Sequence, residues 1–173
     1  MKFLLLILIL LFTTKLVYGK NIRVGPSNSV RTIKYALELA VDNDTISIQS
    51  GIYKEKNIVI SKRVTLIGNN YPVIDGEYRF EVLTIKANGV VIEGLKVINS
   101  GISSMDDFAG IRISESKYVV IRNNILINTF FGIYTQFGAN CFIEGNKIIG
   151  GSKDEQKSGN GIHCWKSDSM QIK

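Results

Sequence analysis

The chain has 173 residues, with 21 lysines and arginines against 15 aspartates and glutamates and a formal net charge of +6 at pH 7. The basic residues are scattered and form no stripe interleaved with aromatic residues, which argues against nucleic acid as a partner. Two cysteines are too few for a disulfide framework, so a single disulfide and two free thiols are the open alternatives.

The first segment predicts a cleavable secretory signal peptide over residues 1–19. An unbroken apolar run extends from Phe3 to Phe12, and a polar stretch follows it. Val17 and Gly19 suit the positions three and one before a cleavage site. The apolar run is about half as long as a transmembrane helix requires. We therefore expect export, cleavage after Gly19 and a mature chain that does not span a membrane.

Residues 20–57 predict an N-terminal cap that contains an amphipathic helix and the first strand. Ser29 is a candidate N-cap for this helix. The apolar residues after it follow helical spacing, at Val30, Ile33, Leu37 and Ala40. We expect the helix to cover the open first turn of the next domain, because an uncovered sheet edge would otherwise stay unpaired.

Residues 58–173 contain an internal repeat. GIRISESKYVVIRNNILIN begins at Gly110, GIYTQFGANCFIEGNKIIG follows 22 residues later at Gly132, and GIHCWKSDSMQIK begins at Gly161. Looser copies begin at Ile58 and Val82. Each copy holds short, alternating runs of β-branched residues separated by polar residues, which is typical of strands joined by bends. A period near 22 residues with several strands per repeat predicts an all-β fold, a right-handed parallel β-helix with an N-terminal capping α-helix.

Alternation within the repeat assigns side chains to the inside or the outside of the solenoid. In the first strand of each copy, the predicted inward columns are Leu83, Ile111, Ile133 and Ile162, then Ile85, Ile113, Thr135 and Cys164. In the second strand they are Val64, Val90, Val119, Cys141 and Met170, then Leu66, Ile92, Ile121, Ile143 and Ile172. Asn124 and Asn146 follow this strand at equivalent positions, where stacked amides are expected to satisfy the backbone of a bend.

The outward positions of the first strand form the candidate functional strip. Its members are Thr84, Arg112, Tyr134 and His163, with Trp165 at a predicted bend beyond the last of these strands. Two long insertions, SGISSMDDFA and GSKDEQKSGN, precede this strand, and solenoids carry insertions on the working face. We therefore predict a surface that binds a partner or a ligand. Asp106 and Asp107 in the first insertion are loop candidates, interpreted as a solvated turn.

The sequence leaves metal binding open and predicts no particular cofactor. His163 points outward and Cys164 inward in this interpretation, so these neighbours cannot easily share one metal. His163, Cys141 and Met170 are weak candidates for copper, a metal that accepts soft sulfur ligands. Packing as apolar core residues is the favoured interpretation of Cys141 and Met170.

Five segments, in this order, resemble the NosD-type accessory proteins of nitrous oxide reductase maturation: DNDTISIQSGIYKEKNIVISKRVTLIGNNYPVIDG, VVIEGLKVINSG, DDFAGIRI, FGIY and GNGIH. The resemblance implies a periplasmic β-helix protein, often labelled copper-binding, whose repeats are of the carbohydrate-binding and sugar-hydrolysis type. It implies that the protein works with an ABC transporter to build the copper-sulfide centre of the reductase. The implied partners are the membrane subunits of the transporter and the apo-reductase. Family members are longer, so we expect an N-terminal portion that stops mid-rung at Lys173.

Other functions fit the same fold. GIYKE, from Gly51, resembles the N-terminal region of pectin esterases, and exported lyases and epimerases act on polysaccharides with this fold. Against these, the predicted strip has no carboxylate pair on neighbouring rungs, as sugar hydrolysis requires. A Tyr134 and His163 base–acid pair remains conceivable, and a structural or adhesive solenoid is less favoured. We therefore expect a non-enzymatic maturation factor, with a polysaccharide-active enzyme or carbohydrate-binding solenoid as the alternative.

Overall fold

The computed structural model describes residues 19–102, 107–151 and 159–173. Short strands dominate these ranges. In chain order the elements are β1 (Asn21–Val24), α1 (Ile33–Leu39), β2 (Thr45–Ile48), β3 (Ile52–Tyr53), β4 (Ile58–Ile60), β5 (Thr65–Gly68), β6 (Val73–Asp75), β7 (Leu83–Ile85), β8 (Val91–Glu93), β9 (Lys96–Ile98), β10 (Ala109–Ser114), β11 (Val120–Arg122), β12 (Ile125–Ile127), β13 (Phe131–Gln136), β14 (Phe142–Glu144), β15 (Lys147–Ile149), β16 (Ile162–Trp165) and β17 (Gln171–Ile172).

The strands form three parallel sheets that run along the molecule. One sheet has seven strands in the order β1-β2-β5-β8-β11-β14-β17. A second has the order β16-β13-β10-β7-β4 and is called the face sheet below, and the third has the order β15-β12-β9-β6-β3. Neighbours within each sheet come from successive turns of the chain, paired in parallel. The predicted parallel β-helix is confirmed.

The inward columns follow the predicted alternation. Ile111 of β10 pairs with Leu83 of β7 and with Ile133 of β13. Ile121 of β11 pairs with Ile143 of β14. These side chains are buried in one continuous core, and each buried aliphatic side chain contributes about 1.5–3 kcal/mol. The alternation of apolar and polar residues thus sets which face of each strand is inside.

Cys164 lies in its predicted inward column but is not buried. It is paired with Thr135 of β13, whose side chain is fully buried. Cys164 itself is exposed. Among the described residues β16 is an edge strand of the face sheet, so no further turn covers Cys164. Cys164 therefore keeps its predicted inward register, and it is exposed among the described residues.

Helix α1 begins later than predicted. Its N-cap is Thr32, whose side chain accepts a hydrogen bond from the backbone N–H of Tyr35 at 3.3 Å. Ser29 cannot serve as the cap because Val30 is held extended in a parallel bridge with Val24. The buried residues Ile33, Ala36 and Leu37 face the strands, and α1 packs against β1, β2 and β4.

The sheets begin before residue 58, where the rungs were predicted to start. Strands β1 and β2 pair with each other, and β2 pairs with β5 in the seven-stranded sheet. The predicted signal peptide lies outside the described residues, apart from Gly19. In the described ranges no helix is long and apolar enough to cross a membrane.

Candidate functional site

The first four residues of the predicted strip lie in one register column on the outer side of the face sheet. Arg112 pairs with Thr84 on one side and with Tyr134 on the other. Tyr134 in turn pairs with His163. Parallel strands lie about 4.8 Å apart, so each of these side chains contacts the next.

This column is more covered than the sequence suggested. Thr84 is only 7% exposed and Tyr134 only 4% exposed. The ring of Phe131 stacks on Tyr134 with 5.2 Å between ring centroids and an interplanar angle of 21°. The guanidinium carbon of Arg112 lies 4.6 Å from the centroid of the Tyr134 ring. Arg112 and Phe131 therefore cover most of the Tyr134 phenol.

Carboxylates do approach the strip, contrary to the sequence-based expectation. Glu81 accepts hydrogen bonds from the Thr84 hydroxyl and from Nε of Arg112. The Glu81 and Arg112 side chains are 12% and 16% exposed, so this ion pair is largely desolvated. Removing one partner of such a pair leaves an uncompensated buried charge. Alternation could not find Glu81, because it lies in the connection before β7 rather than on a strand.

Asp107, in the first insertion, contacts two residues of the strip. Its backbone carbonyl accepts a hydrogen bond from Nη2 of Arg112. Its carboxylate is a hydrogen-bond partner of Tyr134. Asp107 is exposed, as a solvated turn predicts, but these two contacts tie it to the sheet. Asp106 lies outside the described residues.

The Tyr134 phenol is held in its neutral form. Burial raises the pKa of Tyr134, and the Asp107 carboxylate raises it further by its charge and its hydrogen bond, while Arg112 opposes the rise. A neutral phenol can donate a proton in a hydrogen bond to Asp107. Tyr134 is therefore unsuited to act as a base at neutral pH, which weakens the conceivable Tyr134 and His163 base–acid pair.

His163 packs on the same aromatic group. Its ring centroid lies 5.2 Å from that of Phe131 and 5.3 Å from that of Tyr134. Nδ1 of His163 lies 3.1 Å from the side-chain amide nitrogen of Asn160. Because an amide nitrogen only donates, a hydrogen bond in this contact requires Nδ1 of His163 to accept.

The face sheet also forms the floor of a groove. A cavity of about 490 Å³ lies over β7, β10 and the end of β13. Its lining includes Glu81, Thr84, Lys86, Asp107, Arg112 and Gln136. A second cavity of about 310 Å³ lies towards α1, and Asn57 and Val59 line both cavities. The two cavities therefore adjoin, and together they are called the trough below.

The sequence of one known protein family matches nearly all of the described residues. The family described as the right-handed beta helix region matches residues 23–173. The chain belongs to the right-handed β-helix family. No curated protein matches its sequence.

Solved structures similar to this β-helix protein include two pectin methylesterases. PemA from Erwinia chrysanthemi is 15% identical with a TM-score of 0.44, and the match covers 74% of this chain and 49% of that chain. The deglycosylated enzyme from Aspergillus niger is 13% identical with a TM-score of 0.47, and the match covers 87% of this chain and 73% of that chain. This chain thus spans about half the length of the PemA structure. At these identities the similarity concerns the fold alone.

Trp165 ends strand β16 of the β-helix instead of lying at a bend beyond it. It pairs with Gln136 and is 38% exposed. Its ring meets that of Phe137 edge-on, with 5.0 Å between centroids. Nζ of Lys166 lies 4.5 Å from the Trp165 ring. Trp165 therefore lies in the next outward column, two residues along the strand from the column of Tyr134 and His163. Its exposed ring pairs with that of Phe137 and extends the strip.

The weak metal candidates do not converge. Cys141 is buried in the core, and Met170 packs partly buried against it, whereas His163 lies on the outer column. Burial raises the pKa of the Cys141 thiol, with hydrogen bonds to backbone groups opposing the rise. Both Cys141 and Cys164 are free thiols. Within the described ranges no three His, Cys, Asp or Glu residues are arranged to hold a metal ion.

Proposed function

We propose that this β-helix protein is an exported, periplasmic and non-enzymatic maturation factor of the NosD type, which works with an ABC transporter to build the copper-sulfide centre of nitrous oxide reductase. One observation carries the proposal. Three separate motifs that resemble this family, DDFAGIRI, FGIY and GNGIH, converge in a single cluster on the face sheet. The cluster contains Asp107, Arg112, Phe131, Tyr134, Asn160 and His163.

The chemistry of the cluster supports a protein-binding role. Arginine and aromatic side chains dominate the energetics of protein interfaces, above all where they are held in place before binding. Arg112 is held by Glu81, and Tyr134 is held by Phe131 and Asp107. The partners in this proposal are the apo-reductase and the membrane subunits of the transporter. Copper or sulfide species would be cargo of that assembly.

The test is genetic and uses the native host. Deleting the gene should leave reductase protein in the periplasm without its copper-sulfide centre, measured by the visible absorption spectrum and copper content of the purified reductase. Complementation with His163→Ala should restore the centre poorly. Complementation with Tyr71→Ala, which removes an exposed aromatic side chain away from the strip, should restore it fully. A normally loaded reductase in the deletion strain would sink the proposal.

A second candidate function is action on polysaccharides. The observation that favours it is the presence of two carboxylates at the groove, Glu81 and the loop candidate Asp107. Two carboxylates at a groove can divide acid and base roles. Incubation with pectin and alginate should then release methanol or unsaturated uronate, and Asp107→Asn should abolish the release. No release from either polymer by the secreted chain counts against this candidate.

A further inference from the structure

Asp44 is a buried carboxylate that contacts the predicted first residue of the mature chain. It lies in the connection between α1 and β2, and its side chain is only 2% exposed. A buried charge is costly unless it is paired and hydrogen-bonded. The Lys20 Nζ lies 3.8 Å from Oδ2 of Asp44, but it donates its hydrogen bond to the carbonyl of Leu39 at 3.0 Å. Among the described residues, Asp44 therefore accepts no hydrogen bond from a cationic side chain.

Both carboxylate oxygens of Asp44 accept hydrogen bonds from backbone nitrogens. Oδ2 accepts from the N–H of Val41 at 2.9 Å, just after the C-terminal end of α1. Oδ1 accepts from the backbone nitrogen of Lys20 at 2.8 Å. The carbonyl of Lys20 accepts in turn from the N–H of Thr45 at 2.9 Å. The backbone nitrogen of Lys20 is thus held in place against the buried carboxylate.

This nitrogen is the atom that the predicted cleavage after Gly19 would make the chain terminus. When a signal peptidase hydrolyses the Gly19–Lys20 peptide bond, the oxygen of one water molecule enters the new Gly19 carboxylate. The two hydrogens of that water turn the Lys20 amide N–H into an ammonium group, because an α-amino group is mostly protonated at neutral pH. Cleavage therefore places a positive charge where the precursor has a neutral N–H donor.

The surroundings suit an ion pair at this position. A buried pair stabilises a protein when its geometry is good and its remaining lone pairs are satisfied, and Val41 already satisfies the second oxygen of Asp44. Gly19 is exposed and has no side chain, so its removal costs no side-chain packing. Lys20 is also exposed, and the other hydrogens of its ammonium group would reach water.

The end of α1 beside Asp44 is already held by two lysine side chains. Lys62, which lines the trough, donates from Nζ to three backbone carbonyls at this end of the helix, at 2.9, 3.0 and 2.7 Å. Lys20 donates to the carbonyl of Leu39. The contact between Lys20 and Asp44 thus joins the start of β1 to the C-terminal end of the capping helix.

We propose that removal of the signal peptide completes an ion pair within the chain, in which the new α-ammonium group of Lys20 binds the Asp44 carboxylate and fastens the N-terminus to the helical cap. The precursor makes only the amide contact at this position, so processing also stabilises the cap. The proposal rests on the predicted cleavage after Gly19 and is independent of the proposed maturation function.

The first measurement is the N-terminal residue of the exported protein, obtained by N-terminal sequencing and intact mass, and we expect Lys20. The second uses an insertion of Gln-Ser-Gly between Gly19 and Lys20, which moves the ammonium group three residues away and keeps the Lys20 amide N–H. Glycine must directly precede Lys20, because a Cβ at Gly19 would lie 1.9 Å from the carbonyl oxygen of Asn43. The inserted glutamine disfavours cleavage after the new glycine, since that site requires small residues.

Urea denaturation of the exported chains then measures the pair. In the wild-type background the insertion should raise the unfolding equilibrium constant at least about tenfold, equivalent to about 1.4 kcal/mol. In the Asp44→Asn background it should have little effect, because the charge partner is already absent. Asp42→Asn is the matched control, since Asp42 lies in the same connection, is exposed and accepts from the backbone N–H of Arg63 at 2.9 Å. The insertion should cost as much in that background as in the wild type.

The insertion retains Asp44 and both of its backbone hydrogen bonds, so it should fold even if Asp44→Asn does not. An unchanged unfolding constant in the insertion variant would by itself overturn the proposal. A mature chain that begins at a residue other than Lys20 would overturn it as well, as would an insertion that costs the same with Asp44 and with asparagine at this position.

Discussion

At the scale of single residues, Asn124 joins neighbouring turns of the solenoid through its side-chain amide. Its Nδ2 donates to the carbonyl of Ile92 at 3.1 Å, and its Oδ1 accepts from the backbone N–H of Leu95 at 2.9 Å. The Oδ1 of Asn146 accepts from the Asn124 backbone N–H at 3.0 Å. The buried Asn124 and the half-buried Asn146 form the stack that the repeat predicts at this bend.

Replacing Asn124 should be costly. Asn124→Ala leaves the Ile92 carbonyl and the Leu95 N–H without their side-chain partner, and each unsatisfied buried group costs about 1–3 kcal/mol. We expect urea denaturation to show a loss of about 3 kcal/mol in the free energy of unfolding. Asn69→Ala, at an exposed asparagine, is the control and should change it little. Equal effects of the two substitutions would contradict the stack as a stabilising feature.

Tyr134 should make the free energy of unfolding fall as the pH becomes alkaline. Burial and then Asp107 raise its pKa in the folded chain, whereas the unfolded phenol ionises near pH 10. Its contribution to stability is therefore complete below about pH 10 and is lost as the pH rises towards the folded pKa. Tyr134→Phe should reduce the fall of unfolding free energy above about pH 10.

Tyr53 provides an independent comparison for this alkaline effect. Burial, and secondly Glu55, raise its pKa, so Tyr53→Phe should act in the same direction. Ultraviolet titration of tyrosinate in the folded protein should lose one late-ionising phenol in each variant. A wild-type pH dependence in the Tyr134→Phe chain would show that Tyr134 ionises as readily when folded as when unfolded.

At the scale of elements, helix α1 depends on a contact from outside itself. A helix of seven residues is too short to be stable alone. The carboxylate of Glu55 accepts hydrogen bonds from the backbone N–H groups of Ile33 at 2.7 Å and Lys34 at 2.9 Å. The negative charge also lies at the positive end of the helix. Glu55 and Thr32 together satisfy three of the free N–H groups at this end.

Removing the Glu55 carboxylate should destabilise α1 and the cap that it forms. We expect Glu55→Ala to lower the free energy of unfolding by about 1–2 kcal/mol. Glu55→Gln, which retains an acceptor but not the charge, should be intermediate. Glu38→Ala is the matched control, because Glu38 is exposed on the same helix and lies near its C-terminal end. Equal losses from Glu55→Ala and Glu38→Ala would contradict the capping role.

Elements with repeated patterns could be predicted from the sequence, and their connections could not. The strands bearing Leu83, Ile111 and Ile133 recur with the same alternation, and core packing makes that pattern unambiguous. Glu81 and Asp107 lie in connections, where no periodicity restrains them, and they reach the strip only through tertiary contacts with Arg112 and Tyr134. The sequence thus indicated the strip's column and named Asp107 as a loop candidate, but it did not indicate Glu81 or the contacts of either carboxylate.

At the scale of the whole molecule, the solenoid separates core packing from the composition of the outer surface. Inward columns such as that of Ile92 and Ile121 contribute to the core, while outward columns are free to carry Arg112 or Trp165. Connections between strands then bring further groups onto the outer face without disturbing the register. This separation explains how one repeat can support both a regular core and an irregular surface.

The same architecture predicts that truncating an inward isoleucine lowers the free energy of unfolding by an amount that depends on which turn carries it. Ile121 and Ile172 belong to one inward column, with Ile143 between them. Ile121 is fully buried between paired turns, whereas Ile172 is half exposed on the last described strand. Each turn of a solenoid contacts chiefly its neighbours, so in a protein made of the printed residues alone a cavity at Ile121 weakens two interfaces and the loss of Ile172 weakens one.

We expect Ile121→Ala to lower the free energy of unfolding by about 2–5 kcal/mol, the range for truncating a buried isoleucine. Ile172→Ala should cost less than half as much, because much of its side chain already contacts water. Urea denaturation of both variants under the same conditions measures the difference, and amide exchange should show faster opening at β17 than at β11. Equal losses would mean that stability is shared by the whole stack instead of being summed over neighbouring turns.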